Sequence, residues 1–169
     1  MPLDDRVLLD FLEEIDNELD KPIILVAVGG TALTLLGVKP STIDVDFTLS
    51  ADDYEEFQRV LATVPHGFEV HCFLGSMIFS QDLPDDYLEK SSSVKTRLKH
   101  IELRTLSPLD IVVTKIGRLD PRDKEDIANC IRRFRLTRQQ VAERAKQVDY
   151  VGREENYQIN LKHVLENLF

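Results

Sequence analysis

The run Ile23-Ile24-Leu25-Val26-Ala27-Val28-Gly29-Gly30-Thr31, then twelve residues, then Asp44-Val45-Asp46-Phe47, decides the fold. Ile23 to Val28 is a continuous apolar run dominated by Ile and Val, which suits a strand buried on both faces. Gly29-Gly30 follows at once. Glycine carries no Cβ, so the backbone there can approach a ligand closely. Thr31 to Leu36 then reads as a short helix closed by Gly37. A helix start points free N–H groups outward and favours a phosphate, and the Thr31 hydroxyl could add to it. Thr42 to Leu49 reads as a second strand. Side chains alternate across a strand, so Asp44 and Asp46 share one face while Ile43, Val45 and Phe47 share the other. Two neighbouring carboxylates resist joint ionisation unless a cation sits between them. Mg²⁺, which takes one or two carboxylates plus substrate phosphates, is the natural partner. The bulky apolar back of the strand argues against a solvent-facing edge with two idle acids.

Working outward, Asp4 or Asp5 caps a first helix with Val7, Leu8, Phe11, Leu12 and Ile15 at helical spacing. Ser50 caps a helix with Asp52, Asp53 and Glu55 in its first turn, where carboxylates suit the helix dipole. Phe68 to Leu74 is a third strand, Met77 to Phe79 extends the sheet, and Pro84 to Leu88 makes one helical turn. Val94 to Leu106 reads as two short strands around Lys99-His100. Lys95, Arg97 and Lys99 would then share a face, as lysines guarding a strand edge do. Pro108 starts a helix, Asp120-Pro121 starts another through Phe134, and Thr137 opens a third with a Thr-x-x-Gln capping pattern. The last helix carries Ile159, Leu161, Val164, Leu165 and Leu168. The order predicts an α+β fold: a single domain over 1–169, with a mixed β-sheet flanked by helices at about 20–106 and a helical C-terminal part at about 107–169.

Composition bounds the function. With 169 residues, 43% hydrophobic and 30% charged, the chain is globular rather than disordered. A net charge of −9 disfavours a broad nucleic-acid surface, which needs clustered Lys and Arg. The two cysteines, Cys72 and Cys130, stand in no metal-ligand spacing and read as reduced, buried residues. No apolar run approaches the ~20 residues that cross a membrane. Met1-Pro2-Leu3-Asp4-Asp5 is acidic and unlike a secretory signal, so a cytoplasmic location is expected.

Val28-Gly29-Gly30-Thr31 with Asp44-Val45-Asp46-Phe47 resembles the signature of the polymerase-β-like nucleotidyltransferase superfamily. Residues 30–42 look like its small stand-alone bacterial and archaeal branch, which includes the nucleotidyltransferases of toxin–antitoxin loci. Leu106-Ser107-Pro108-Leu109-Asp110-Ile111, Thr114-Lys115-Ile116 and Arg122-Asp123-Lys124-Glu125-Asp126-Ile127 resemble the C-terminal segment of that branch. Residues 23–49 and 106–131 carry the match. The resemblance implies that Gly29, Gly30 and Thr31 hold a nucleoside triphosphate, that Asp44 and Asp46 bind Mg²⁺ or Mn²⁺, and that Lys115 assists at the phosphates. It also implies a third acid on a later strand. In Phe68-Glu69-Val70-His71-Cys72-Phe73, His71 falls at that position and Glu69 lies two residues earlier on the same face. Three readings stay open: Glu69 substitutes in a shifted register, His71 serves as base or ligand, or the third function is absent.

Other charged residues have plainer readings. Asp123 and Asp126 are expected to orient Lys or Arg or to cap their helix. Arg118 could join Lys115 at phosphates or pair with Asp120 and Asp123. Lys39, in the loop before the acids, could reach the triphosphate, with a surface loop lysine as the plainer reading. The function expected is transfer of a nucleotide from an NTP to a hydroxyl of a protein or RNA. The acidic balance favours a protein acceptor or partner subunit over a long nucleic acid, and a second copy of the chain is a further candidate partner. The alternative is a catalytically silent nucleotide-binding module of the same fold. A metal-dependent phosphohydrolase would also use two acids, but the glycine turn at this spacing argues against it.

Overall fold

In the computed structural model, which describes residues 2–169, helix α1 (Asp5–Glu18) starts where the Asp4 carboxylate accepts the Val7 N–H at 2.9 Å. Met1, part of the N-terminal reading above, lies outside the described residues. The apolar run gives strand β1 (Ile23–Ala27), and the glycine pair opens helix α2 (Gly29–Leu35). Strand β2 (Val45–Leu49) leads through the Ser50 cap into α3 (Ala51–Leu61) and then β3 (Val70–Leu74). A hairpin of β4 (Met77–Ile78) and β5 (Gln81–Asp82) precedes the single turn α4 (Tyr87–Lys90). Strands β6 (Ser92–Ser93) and β7 (Ile101–Thr105) follow. The rest is helical: α5 (Pro108–Lys115), α6 (Pro121–Phe134) and α7 (Arg138–Lys146), then a short β8 (Asp149–Tyr150) and α8 (Glu154–Asn167). The class is α+β, with a mixed sheet, flanking helices and a helical C-terminal region, as the sequence predicts. Among the described residues, no helix is long and apolar enough to cross a membrane.

The chain forms two compact units, one of residues up to 75 with 91–105, the other of 76–90 with 106–169. In the first, the strand order is β6-β7-β1-β2-β3. β1 runs parallel to β7 and antiparallel to β2, and β2 runs parallel to β3. β1 and β2 bury Leu25, Ala27, Val45 and Phe47, with the Phe47 and Phe57 rings edge to face at 6.0 Å. In the second unit, α5 packs on α6 and α7 over a core of Ile111, Val112, Ile127, Cys130 and Val164. Tyr157 is buried there and donates its hydroxyl to the Val113 carbonyl at 3.0 Å. Buried charge holds α7 to α5: Arg144 Nε and Nη2 reach the two Asp110 oxygens at 2.6 and 3.0 Å.

Three sequence expectations are corrected. First, β2 begins at Val45 rather than Thr42. Thr42 instead exchanges backbone hydrogen bonds with Leu3 at 2.7 and 2.9 Å, and Ile43-Asp44 bend into the strand. Second, β3 begins at Val70 rather than Phe68, because Phe68 turns its ring edge-on to Phe11 at 4.9 Å. Third, Val94 to His100 is irregular rather than a strand, so the alternation argument for Lys95, Arg97 and Lys99 does not apply. The cause is Asp16, whose buried carboxylate accepts the backbone N–H groups of Lys99, His100 and Ile101 at 2.8, 2.7 and 2.8 Å. Three converging donors bend the chain where a strand would spread them apart.

Candidate active site

The glycine turn forms because β1 ends in an extended Val28 and the chain must then reverse into α2 within one residue. Gly29 does this with φ +54°, the left-handed region that costs any residue with a Cβ about 1–2 kcal/mol. Gly30 serves a different end. A Cβ there would lie 3.0 Å from Thr42 Oγ1 and 3.6 Å from Lys39 Nζ. Its absence lets the loop before the acids close against the helix start, and it sets the Lys39 ammonium beside the turn.

Two threonines fasten the acids to that turn. Thr31 is fully buried; its hydroxyl accepts the Asp46 N–H at 2.9 Å and donates to the Asp44 carbonyl at 3.3 Å. Thr42 donates to the same carbonyl at 2.9 Å. The Val28 N–H donates to the Asp46 carbonyl at 3.0 Å. Thr31 therefore acts on the backbone of the acidic segment. The sequence reads Thr42 as a strand start and as part of the resemblance, not as a partner of the acids, a role that only its place two residues before Asp44 could have signalled.

The side chains of Asp44, Asp46, Glu69 and His71 come together. Asp46 and His71 are register partners in the parallel pair β2/β3, so the sheet itself sets them side by side. His71 Nδ1 is 3.0 Å from Asp46 Oδ1, and Nε2 is 3.2 Å from Glu69 Oε2. Asp44, Glu69 and His71 each present one donor atom, all within 4.8 Å of one another. Glu69 and His71 are solvent-exposed, while the Asp46 side chain is 12% exposed. The hydrogen bond to Asp46 raises the His71 pKa above its ordinary value; partial burial opposes this, and the charges of Asp46, Asp44 and Glu69 add to it. Next along β3, burial pushes the Cys72 thiol up to about 11, which leaves it protonated and unreactive at neutral pH. Two carboxylates and an imidazole converging at the surface, with a third carboxylate bound to the imidazole, suit a divalent cation.

Lys115 lies in the second unit, 5% exposed, with Nζ 3.2 Å from Asp123 Oδ1 and 3.0 Å from Asp126 Oδ2. Arg118 donates to both Asp123 oxygens at 2.7 and 2.8 Å. Burial would raise the Asp123 carboxyl, but Arg118 and Lys115 outweigh it and hold the pKa below its usual range. Asp123 and Asp126 thus orient these cations, and Asp120 and Asp123 also close a capping box on α6. Lys115 and Arg118 line a cavity of about 370 Å³ together with Phe79, Ser80, Gly117 and Tyr150.

A profile of the family described as "Nucleotidyltransferase of unknown function (DUF6036)" matches residues 6–166. The chain belongs to that family. No match is found among curated proteins.

Proposed function

We propose that this nucleotidyltransferase-family protein transfers a nucleoside monophosphate from an NTP to a hydroxyl of a protein or an RNA, with a divalent cation. The observation that carries the reading is the Thr31 hydroxyl, bonded at once to the Asp46 N–H and the Asp44 carbonyl. A phosphate-facing turn and a pair of acids are useful together only when held in fixed register, and Thr31 supplies that link.

In the reaction, the acceptor oxygen bonds to the α-phosphorus, the bond from that phosphorus to the bridging oxygen of the β-phosphate breaks, and pyrophosphate leaves. The acceptor proton passes to Glu69 or His71, the groups at the rim of the cluster. Gly29 and Gly30 let the triphosphate approach the backbone. Asp44 and Asp46, with Glu69 and His71 beside them, would hold Mg²⁺ or Mn²⁺, which when bound offsets charge on the phosphates. Lys115 belongs to the same proposal as a phosphate-binding residue, on the strength of the resemblance over residues 106–131. So does a role in a toxin–antitoxin pair. The net charge of −9 supports a protein acceptor or partner subunit over a long nucleic acid.

The test incubates the full chain with labelled NTPs, a divalent metal and cell lysate. Wild type should label an acceptor, and the Asp44→Ala/Asp46→Ala protein should not. Equal labelling by the two overturns the reading. A second reading, a silent nucleotide-binding module, draws on His71 standing where a third acid is expected. Metal-dependent NTP binding in calorimetry without turnover would favour it.

A further inference from the structure

The donor set of the acid cluster differs from that of an ordinary magnesium site. We infer that it is built for a transition-metal dication of the Mn²⁺, Co²⁺ and Zn²⁺ class in preference to Mg²⁺. The ligands are the Asp44 and Glu69 carboxylates and His71 Nε2, and Asp46, counted among the metal-holding acids in the proposed function, instead positions the imidazole through Oδ1. This inference rests on reading the cluster as the metal-binding part of the proposed transfer site.

Three observations lead there. The three ligand atoms lie within 4.8 Å of one another. Ligands at ~2.1 Å around one cation stand roughly 3 Å apart or a little more, a contraction that exposed side chains reach by small rotations. The identity of the donors then decides the metal. Mg²⁺ takes oxygen ligands and keeps much of its water, whereas imidazole nitrogen suits the transition dications. Replacing one carboxylate oxygen by a ring nitrogen therefore moves the preference away from Mg²⁺, and the two remaining carboxylates retain affinity for a hard or borderline cation.

The third observation concerns the orientation of the ring. Asp46 Oδ1 stands 3.0 Å from His71 Nδ1, so the other nitrogen, Nε2, faces Glu69 at 3.2 Å. A carboxylate on one imidazole nitrogen is the support that metal-binding histidines recruit to fix ring and tautomer. Here the support is built into the sheet, because Asp46 and His71 are register partners in β2 and β3. Stability alone does not explain the arrangement. Glu69 is 76% exposed on its side chain and His71 46%, and an ion pair that open to water contributes little.

The test measures Mn²⁺ and Mg²⁺ binding to the full chain by calorimetry, and reads the ligand directly from ¹⁴N coupling in the electron paramagnetic resonance of bound Mn²⁺. Wild type should bind Mn²⁺ at least about tenfold more tightly than Mg²⁺ and show one coupled imidazole nitrogen. His71→Asp should lose the coupling and reduce the preference about tenfold, and its retained Mg²⁺ binding reports that it is folded. Asp46→Asn should weaken Mn²⁺ about tenfold or more with the coupling still present. Bound Mn²⁺ without ¹⁴N coupling, or a preference unchanged in His71→Asp, overturns the inference. Transfer supported equally by Mg²⁺, with no coupling, overturns it while leaving the proposed function standing. Coupled Mn²⁺ with no transfer under any metal sustains the inference and removes the proposed function.

Discussion

The molecule handles charge in two opposite ways. In the second unit, charges are buried and matched: Arg144 forks onto Asp110, and Lys115 sits between Asp123 and Asp126. In the first unit, Asp44, Asp46 and Glu69 gather around a single histidine at the surface. Matched burial holds helices in place and is ruinous to break. A surplus of like charge at the surface contributes little to folding, and under the proposed function a bound cation would offset it.

Substitutions in the two regions should therefore diverge. Asp44→Asn should lower transfer by about 10³-fold, the loss of several kcal/mol at the transition state, while leaving chemical stability within about 0.5 kcal/mol of wild type. Labelling rates and urea melts on one preparation check both halves. Arg144→Met leaves Asp110 buried with no cation and should cost about 3–5 kcal/mol in the same melts. A tolerant Arg144 and a destabilising Asp44 would reverse the comparison.

Asp16 sharpens it, being a buried acid satisfied by backbone alone. Burial would raise its carboxyl, but the N–H groups of Lys99, His100 and Ile101 outweigh that, with His100 charge helping, and hold the pKa below the ordinary value. A lowered folded pKa means the stabilisation is complete above the unfolded value of roughly 3.9 and is lost as pH falls through the folded one. Asp16→Asn should cost about 3 kcal/mol at pH 6, with the gap to wild type narrowing in melts below about pH 4.

Backbone changes should be smaller. Gly29→Ala meets a φ of +54° and should destabilise by about 1–2 kcal/mol. The least effect belongs to the β4–β5 hairpin. Its turn residues Phe79 and Ser80 have φ of 49° and 69°, values that favour Asn-Gly. Gln81 secures the turn, its amide donating to the Ile78 and Phe79 carbonyls and accepting the Gly117 N–H at 3.1 Å. Ser80→Gly should raise stability by about 0.5–1 kcal/mol in thermal melts.

Helix starts were legible wherever a cap announced them. Asp4, Ser50, Ser107, Asp120 and Thr137 all accept the backbone N–H three residues on, or its equivalent in a capping box. The failures fell where a distant group overrode local pattern. Asp16 bends residues 99–101 from 83 positions away, and Leu3 draws Thr42 out of β2. Nothing in the alternation at Lys95, Arg97 and Lys99 records Asp16.

Sequence alone determined the helices and the longer strands in order, though not the two-residue strands β5, β6 and β8, together with the glycine turn and the two acids after it, because caps, periodicity and the demands of a Cβ-free turn act over a few residues. Only the tertiary structure decided what those residues do for one another. Thr31 binds the acidic segment, Asp46 holds the His71 ring, and Lys115 lies between two carboxylates. These pairings depend on strand register and burial, which are set by packing across the whole sheet and helix layer rather than by neighbours in the chain.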